Sequence, residues 1–152
     1  MSRTRTLSLT LAFAASLFTL AAPAAYAIEM VSVDREVINL RTGPGTSHEA
    51  TWRLNRGYPL IVTGRKGGWL SVRDFENDTG WVLGRLTAKK PHFIVKGQDV
   101  NMRSGPGTRY KVVGKAQYGE VMKTLERRNG WAKVRNADGL SGWISRKLLW
   151  GW

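Results

Sequence analysis

Cysteine is absent from this chain, so it forms no disulfide framework, offers no thiolate to a metal or a substrate, and has no cysteine for lipid anchoring. Histidine is nearly absent. His48 and His92 are the only two, and neither stands in a Ser-His-Asp pattern or at a metal-ligand spacing. Acidic residues are scarce, 11 against 24 Lys and Arg, which leaves a formal net charge of +13. Three of the acids, Asp74, Glu76 and Asp78, crowd into one turn, where they read as solvating a loop. The Gly-rich turns lack the Gly-Lys-Ser/Thr ending of a phosphate loop. Asn77-Asp78-Thr79 matches a glycosylation sequon, a weak signal by itself. No catalytic residue, metal site or cofactor is expected, and the chain reads as a non-enzyme.

Long apolar runs are missing everywhere except at the start. Arg3 and Arg5 precede an uncharged stretch from Leu7 to Ala22, followed by Ala25-Tyr26-Ala27. A basic segment, a short apolar segment and small residues at −3 and −1 make the pattern of an export signal cleaved after Ala27. The run is shorter than the roughly 20 residues of a spanning helix. The expected mature chain, 28–152, is periplasmic or secreted and holds no integral membrane segment.

What remains is one unit written twice. Asn39-Leu40-Arg41-Thr42-Gly43-Pro44-Gly45-Thr46 returns 62 residues later as Asn101-Met102-Arg103-Ser104-Gly105-Pro106-Gly107-Thr108. The same offset, without a gap, maps Gly57 to Gly119, Gly68-Trp69 to Gly130-Trp131, Val72-Arg73 to Val134-Arg135 and Gly80-Trp81 to Gly142-Trp143. A period this long suits two tandem domains, expected at 28–88 and 89–152, rather than a solenoid. Within each unit, short alternating segments are separated by turn residues, which predicts five or so strands in a small barrel or roll. Strands are expected at 38–41, 58–62, 69–73 and 80–83, and again at 121–125, 131–135 and 142–145. Pro44-Gly45 is expected to form a type II turn with positive φ at the glycine.

The ordered set N-[LM]-R-[TS]-G-P-G-T, then Gly, then G-W-x-x-V and G-W-[VI], resembles the bacterial SH3-like domain, in two copies. The resemblance implies an all-β chain of two small SH3-like barrels. It also implies a binding role in the cell envelope, often toward peptidoglycan or proteins.

Strand parity then suggests a site. Leu70 and Val72 share one face of their strand, while Trp69, Ser71 and Arg73 share the other. Pairing around a turn near Glu76 sets Ser71 opposite Trp81, with Trp69 on the diagonal. Asn39 and Arg41 take the non-core parity of their own strand. The candidate ligand-binding residues are therefore Asn39, Arg41, Trp69 and Trp81, with Asn101, Arg103, Trp131 and Trp143 in the second unit. Such a face can hold a sugar ring or a short peptide on Trp and a carboxylate on Arg. The same residues also admit a packing role, the stronger of the two readings, with Trp shielding the core edge and Asn bonding a turn. Trp52 is private to the first unit, because Gly114 stands at its equivalent. Trp150 and Trp152 either pack on the barrel or meet a partner.

Charge divides unevenly. Residues 28–87 hold 8 basic and 7 acidic side chains, whereas 88–152 hold 14 and 4. Lys111, Lys115, Lys123, Arg127, Arg128 and Lys133 are candidates for contact with an anionic polymer. The functional expectation is a non-enzymatic envelope protein contacting peptidoglycan or its peptides. The alternatives are an adaptor for another envelope protein and a polyanion binder acting through the second unit. Nucleic acid is an unlikely partner for an exported chain.

Overall fold

The computed structural model describes residues 27–152, so the expected export leader lies outside the described residues except for Ala27. Each repeat is a seven-stranded antiparallel sheet with a single 3-10 turn. The first comprises β1 (Met30–Val33), β2 (Val37–Arg41), β3 (Ala50–Asn55), β4 (Pro59–Lys66), β5 (Trp69–Arg73), β6 (Thr79–Leu83) and β7 (Thr87–Ala88). The second comprises β8 (His92–Val95), β9 (Val100–Arg103), β10 (Val112–Ala116), β11 (Val121–Arg128), β12 (Trp131–Arg135), β13 (Ser141–Ser145) and β14 (Leu149–Gly151). The spatial orders, β3-β2-β6-β5-β4-β1-β7 and β10-β9-β13-β12-β11-β8-β14, are the same topology displaced by one repeat. The all-β, two-barrel expectation holds. Among the described residues no helix is long and apolar enough to cross a membrane.

Alternation builds the two cores. In β5, Leu70 and Val72 are buried between half-buried neighbours, and in β2 Ile38 and Leu40 flank exposed Asn39. Leu60 and Val82 complete the first core with Leu54 and Val33. Met102, Met122, Val134, Ile144 and Phe93 fill the second. The β4–β5 and β11–β12 hairpins turn at Gly68 (φ +80°) and Gly130 (φ +80°), a region where a Cβ is strained. This conformation explains the glycine of Gly68-Trp69 and of Gly130-Trp131.

Two expectations need correction. Gly45 and Gly107 do not adopt positive φ, so Pro44-Gly45 is not a type II turn. Instead the Gly45 amide bonds back to the Gly43 carbonyl at 3.0 Å, and Gly107 repeats this with Gly105, an i→i+2 link centred on proline. The strand count is also higher than five, with β1, β3 and β7 and their equivalents in addition, and β4 and β11 run on to Lys66 and Arg128.

The repeats are packed against each other. Phe93 and Val95 of β8 enter the second core, yet Ile94 between them is also fully buried, outside that cluster. Its counterpart in β1 is Ser32, whose Oγ donates to the Lys90 carbonyl at 2.7 Å and so pins the junction. Lys90 Nζ meets Asp34 at 2.6 Å and Lys89 meets Glu29 at 3.4 Å, and the Lys90 bond holds the Asp34 carboxyl below its usual range. Across the contact, Phe75 lies 5.6 Å from Tyr118 and 6.5 Å from Trp150, so Trp150 packs on the first repeat.

His92 sits half-buried in this junction with Nδ1 2.9 Å from the Lys90 carbonyl. Burial, with Lys123 and Lys90 nearby, pushes its pKa below the ordinary 6.5, despite the carbonyl bond. The unfolded chain therefore binds the proton more readily. This contribution to stability is present above pH 6.5 and is lost as pH falls through 6.5 toward the folded value. Denaturation midpoints of residues 28–152 should drop over that interval, and His92→Gln should flatten the drop. A His92→Gln profile identical to that of the parent would contradict the assignment.

Candidate binding face

The registers place Ser71 opposite Trp81 and Trp69 opposite Leu83, the diagonal read from parity. The second repeat pairs Lys133 with Trp143 and Trp131 with Ser145. Arg41 stands directly across from Trp81, and Arg103 across from Trp143. Asn39 and Asn101 are exposed on the neighbouring position of the same strand face.

The arginines have a task of their own. Arg103 Nη1 donates to the carbonyls of Thr108 and Tyr110, each at 2.9 Å. Arg41 Nη1 donates to Thr46 at 3.2 Å and His48 at 2.8 Å. One terminal nitrogen thus holds the whole Gly-Pro-Gly loop against the sheet. Among the described residues, neither guanidinium has a further hydrogen bond, which leaves an edge of each fork for a ligand. The loop closes over itself as well. A Cβ on Gly43 would lie 2.5 Å from the His48 ring, and one on Gly105 would collide with the Tyr110 ring. The glycine permits the aromatic ring to lie flat on the backbone.

In the second repeat a hollow of about 330 Å³ is bordered by Asn101, Arg103, Thr108 and Trp131. A second hollow, about 670 Å³, lies between Trp131 and the loop residues Pro106, Arg109 and Tyr110. Trp131 is therefore a half-exposed ridge between two depressions, with the arginine-held loop beside it. Trp143 does not join them. It is 6% exposed, with the Arg128 guanidinium 5.7 Å from its ring centre. In the first repeat Trp69 borders a different hollow, with Arg65, Lys66, Arg85 and Lys89 around it. Asn39, Arg41 and Trp81 are not among the residues that line it. The loop residues Thr108, Arg109 and Tyr110 were missed by sequence reasoning. The 62-residue pairing of His48 with Tyr110, both aromatic rings, was the available signal.

Of the basic candidates, Lys111, Lys115, Lys123, Arg127 and Arg128 are exposed. Arg128 is engaged by Glu126 at 2.7 Å as well as by Trp143, and half-buried Lys133 pairs across from Glu126.

Asp74, Glu76 and Asp78 bring carboxylate oxygens within 4.8 Å of one another. Asp74 is already committed. Its Oδ1 accepts the Glu76 and Asp78 amides, each at 2.9 Å, and its Oδ2 accepts the Tyr58 hydroxyl at 3.1 Å. Asn136 Oδ1 does the same for Leu140 in the second repeat, so this carboxylate shapes a turn. Burial, reinforced by Asp74, pushes the Tyr58 phenol well above its usual range.

The curated relative YrvJ of Bacillus subtilis (strain 168), named as a candidate N-acetylmuramoyl-L-alanine amidase, is 28% identical over 123 residues. The match takes in 74% of this chain but only 24% of YrvJ, so the chain spans about a quarter of that relative. Among solved structures, NlpC1 from Trichomonas vaginalis resembles it at a TM-score of 0.38 and 13% identity, over 90% of this chain and 50% of that one. The endolysin LysPBC5 CBD gives 0.33 and 15%, over 86% and 98%. Similarities this remote carry no argument beyond themselves. The bacterial SH3 domain model, in contrast, matches residues 36–88 and again 98–149. The chain belongs to the bacterial SH3 domain family and carries two tandem copies of that domain.

Proposed function

We propose that this chain is a non-catalytic, exported cell-wall-binding protein that contacts peptidoglycan through the second repeat. The observation that carries this reading is the hollow where Asn101, the free edge of Arg103 and the Trp131 ring converge beside a rigid loop. A flat aromatic face and a guanidinium fork suit a sugar ring next to a peptide carboxylate. The relative named as an amidase of N-acetylmuramoyl-L-alanine supports a wall ligand, since that bond joins sugar to peptide. The export pattern of residues 1–27 supports an envelope location. Residues 28–152 should co-sediment with purified sacculi. Failure to do so, with the fold intact by circular dichroism, would overturn the reading.

A second reading has its own observation, the +10 excess on residues 88–152. If Lys111, Lys115, Lys123 and Arg127 contact a polyanion, a soluble anionic polymer should bind, and affinity should fall steeply with added salt. Replacing these four by Gln should abolish that binding while sparing sacculus binding at high salt. Salt-independent polymer binding would count against an electrostatic patch. Docking on another envelope protein is the remaining alternative.

A further inference from the structure

The repeats differ in residue type where they meet. A cleft of about 250 Å³ opens there, floored by Leu40 and Leu54 of the first repeat and Ile94 of the second. Trp52, Phe75 and Tyr118 wall it, and Arg53, Glu76 and Asp78 stand at its mouth. The 62-residue offset supplies an internal control. Positions equivalent to Trp52, Phe75 and Asp78 hold Gly114, Ala137 and Leu140, and that repeat builds the same seven strands. The fold therefore does not require an aromatic or acidic side chain at those places.

Packing accounts for part of the difference. Phe75 lies between Tyr58, Tyr118 and Trp150, and the Tyr118 hydroxyl donates to Glu76 at 2.7 Å, tying the repeats together. Packing does not account for Trp52. It lies opposite Leu40 on the parity that β3 gives to buried Leu54, yet it is 60% exposed at the cleft's rim. Nor does it account for Asp78, whose carboxylate has no ion-pair partner among the described residues. An apolar floor, aromatic walls and a few convergent charges at a domain junction are the usual make-up of a ligand cleft.

We infer that this cleft receives the ammonium group of an amino acid or peptide, with the adjoining aliphatic atoms on Trp52 and Phe75. On a chain of strong positive charge, two exposed carboxylates beside open aromatic rings form a local site for a cation. Arg53, the one cation at the mouth, is placed to take the carbonyl or carboxylate of the same ligand, which would fix its direction. A phosphate polymer meets repulsion from Glu76 and Asp78, and a neutral glycan brings no cation to the Asp78 carboxylate. The inference rests on the proposed function only in placing the amine on wall peptide; the cleft itself does not depend on it.

The test follows the Trp52 indole resonance of residues 28–152 during titration with two probes. Alanyl-alanine amide offers an α-ammonium and Nα-acetyl-lysine amide a side-chain ammonium. Saturable shifts are expected with at least one probe, and the stronger of the two identifies the source. Acetylating the amine should weaken binding at least about tenfold, the worth of a charge-assisted contact. Trp52→Ala, read at the Trp150 indole, and Asp78→Asn should each do the same without altering the circular dichroism. Equal binding of acetylated and free probes, or full binding by both variants, overturns the inference. Sacculi provide the separate control. Weaker retention on N-acetylated than on native sacculi supports the wall peptide as source. Equal retention on both removes that source. Retention on neither overturns the wall reading and leaves the amine titration to decide the cleft.

Discussion

Trp143→Ala should unfold the second repeat. Trp143 is nearly inaccessible, lies on β13, an interior strand of its sheet, and carries the Arg128 guanidinium over its ring. Truncating a buried Trp costs about 3–5 kcal/mol. A single core of this size supplies roughly the same amount, so nothing is left over. Chemical denaturation of residues 28–152 should lose the second repeat's transition, and near-ultraviolet dichroism should collapse with it. Trp131→Ala should cost much less, because Trp131 is a half-exposed ridge rather than a core element. Similar denaturation curves for the two variants would show that the distinction between Trp131 and Trp143 is wrong. Sequence parity put both on one face and could not tell them apart. The separation arises because Trp143 lies beneath Arg128 from the β11–β12 hairpin, a contact between strands that no single strand pattern records.

Arg103→Ala should damage shape and binding together. It removes two charge-assisted bonds from one Nη1 to carbonyls of the Gly-Pro-Gly loop. Bonds to charged groups are worth about 1.5–3 kcal/mol, and the half-exposed setting puts this loss near 1–2 kcal/mol. The loop frames both hollows beside Trp131, so freeing it should weaken sacculus retention roughly tenfold or more, because the pre-organised surface must then be ordered on binding. Arg103→Lys should not rescue the loss. An ammonium on a flexible stem cannot hold the two carbonyls and still present a planar fork edge. Arg41→Ala should loosen its own loop by a similar amount while affecting retention less, because Arg41 does not border the hollow at Trp69. An Arg103→Ala variant that keeps both melting temperature and retention would remove Arg103 from the account.

Much of the fold was legible because a repeated sequence carries its own check. The alternation of Leu70 and Val72 with Trp69, Ser71 and Arg73 set the faces of β5, and the turn at 74–78 set the register opposite Trp81. The missed strands have physical reasons. In β8, Phe93, Ile94 and Val95 are all buried, because one face meets its own core and the other meets the first repeat, so the period of two is erased. In β3, only Leu54 is buried, which leaves almost no alternation to read. The Pro-Gly turn was misjudged because its conformation is set by distant partners, Arg41 and the His48 ring, rather than by the dipeptide. The candidate site was legible in residue type and less so in assembly. Asn101, Arg103 and Trp131 do converge, whereas their first-repeat equivalents do not line one hollow. The loop residues and the cleft between repeats depend on tertiary contact, for which only the mismatches between repeats gave a hint.

The central claim is that the Trp131 face, not bulk positive charge, holds the wall. Co-sedimentation of residues 28–152 with purified sacculi at high salt, comparing the parent chain with Trp131→Ala, tests it most directly. Screening removes the contribution of the scattered lysines and leaves the aromatic contact. The account predicts that the parent is retained and that Trp131→Ala, still folded by circular dichroism, is released. Equal retention of the two, or release of both as salt rises, would contradict it.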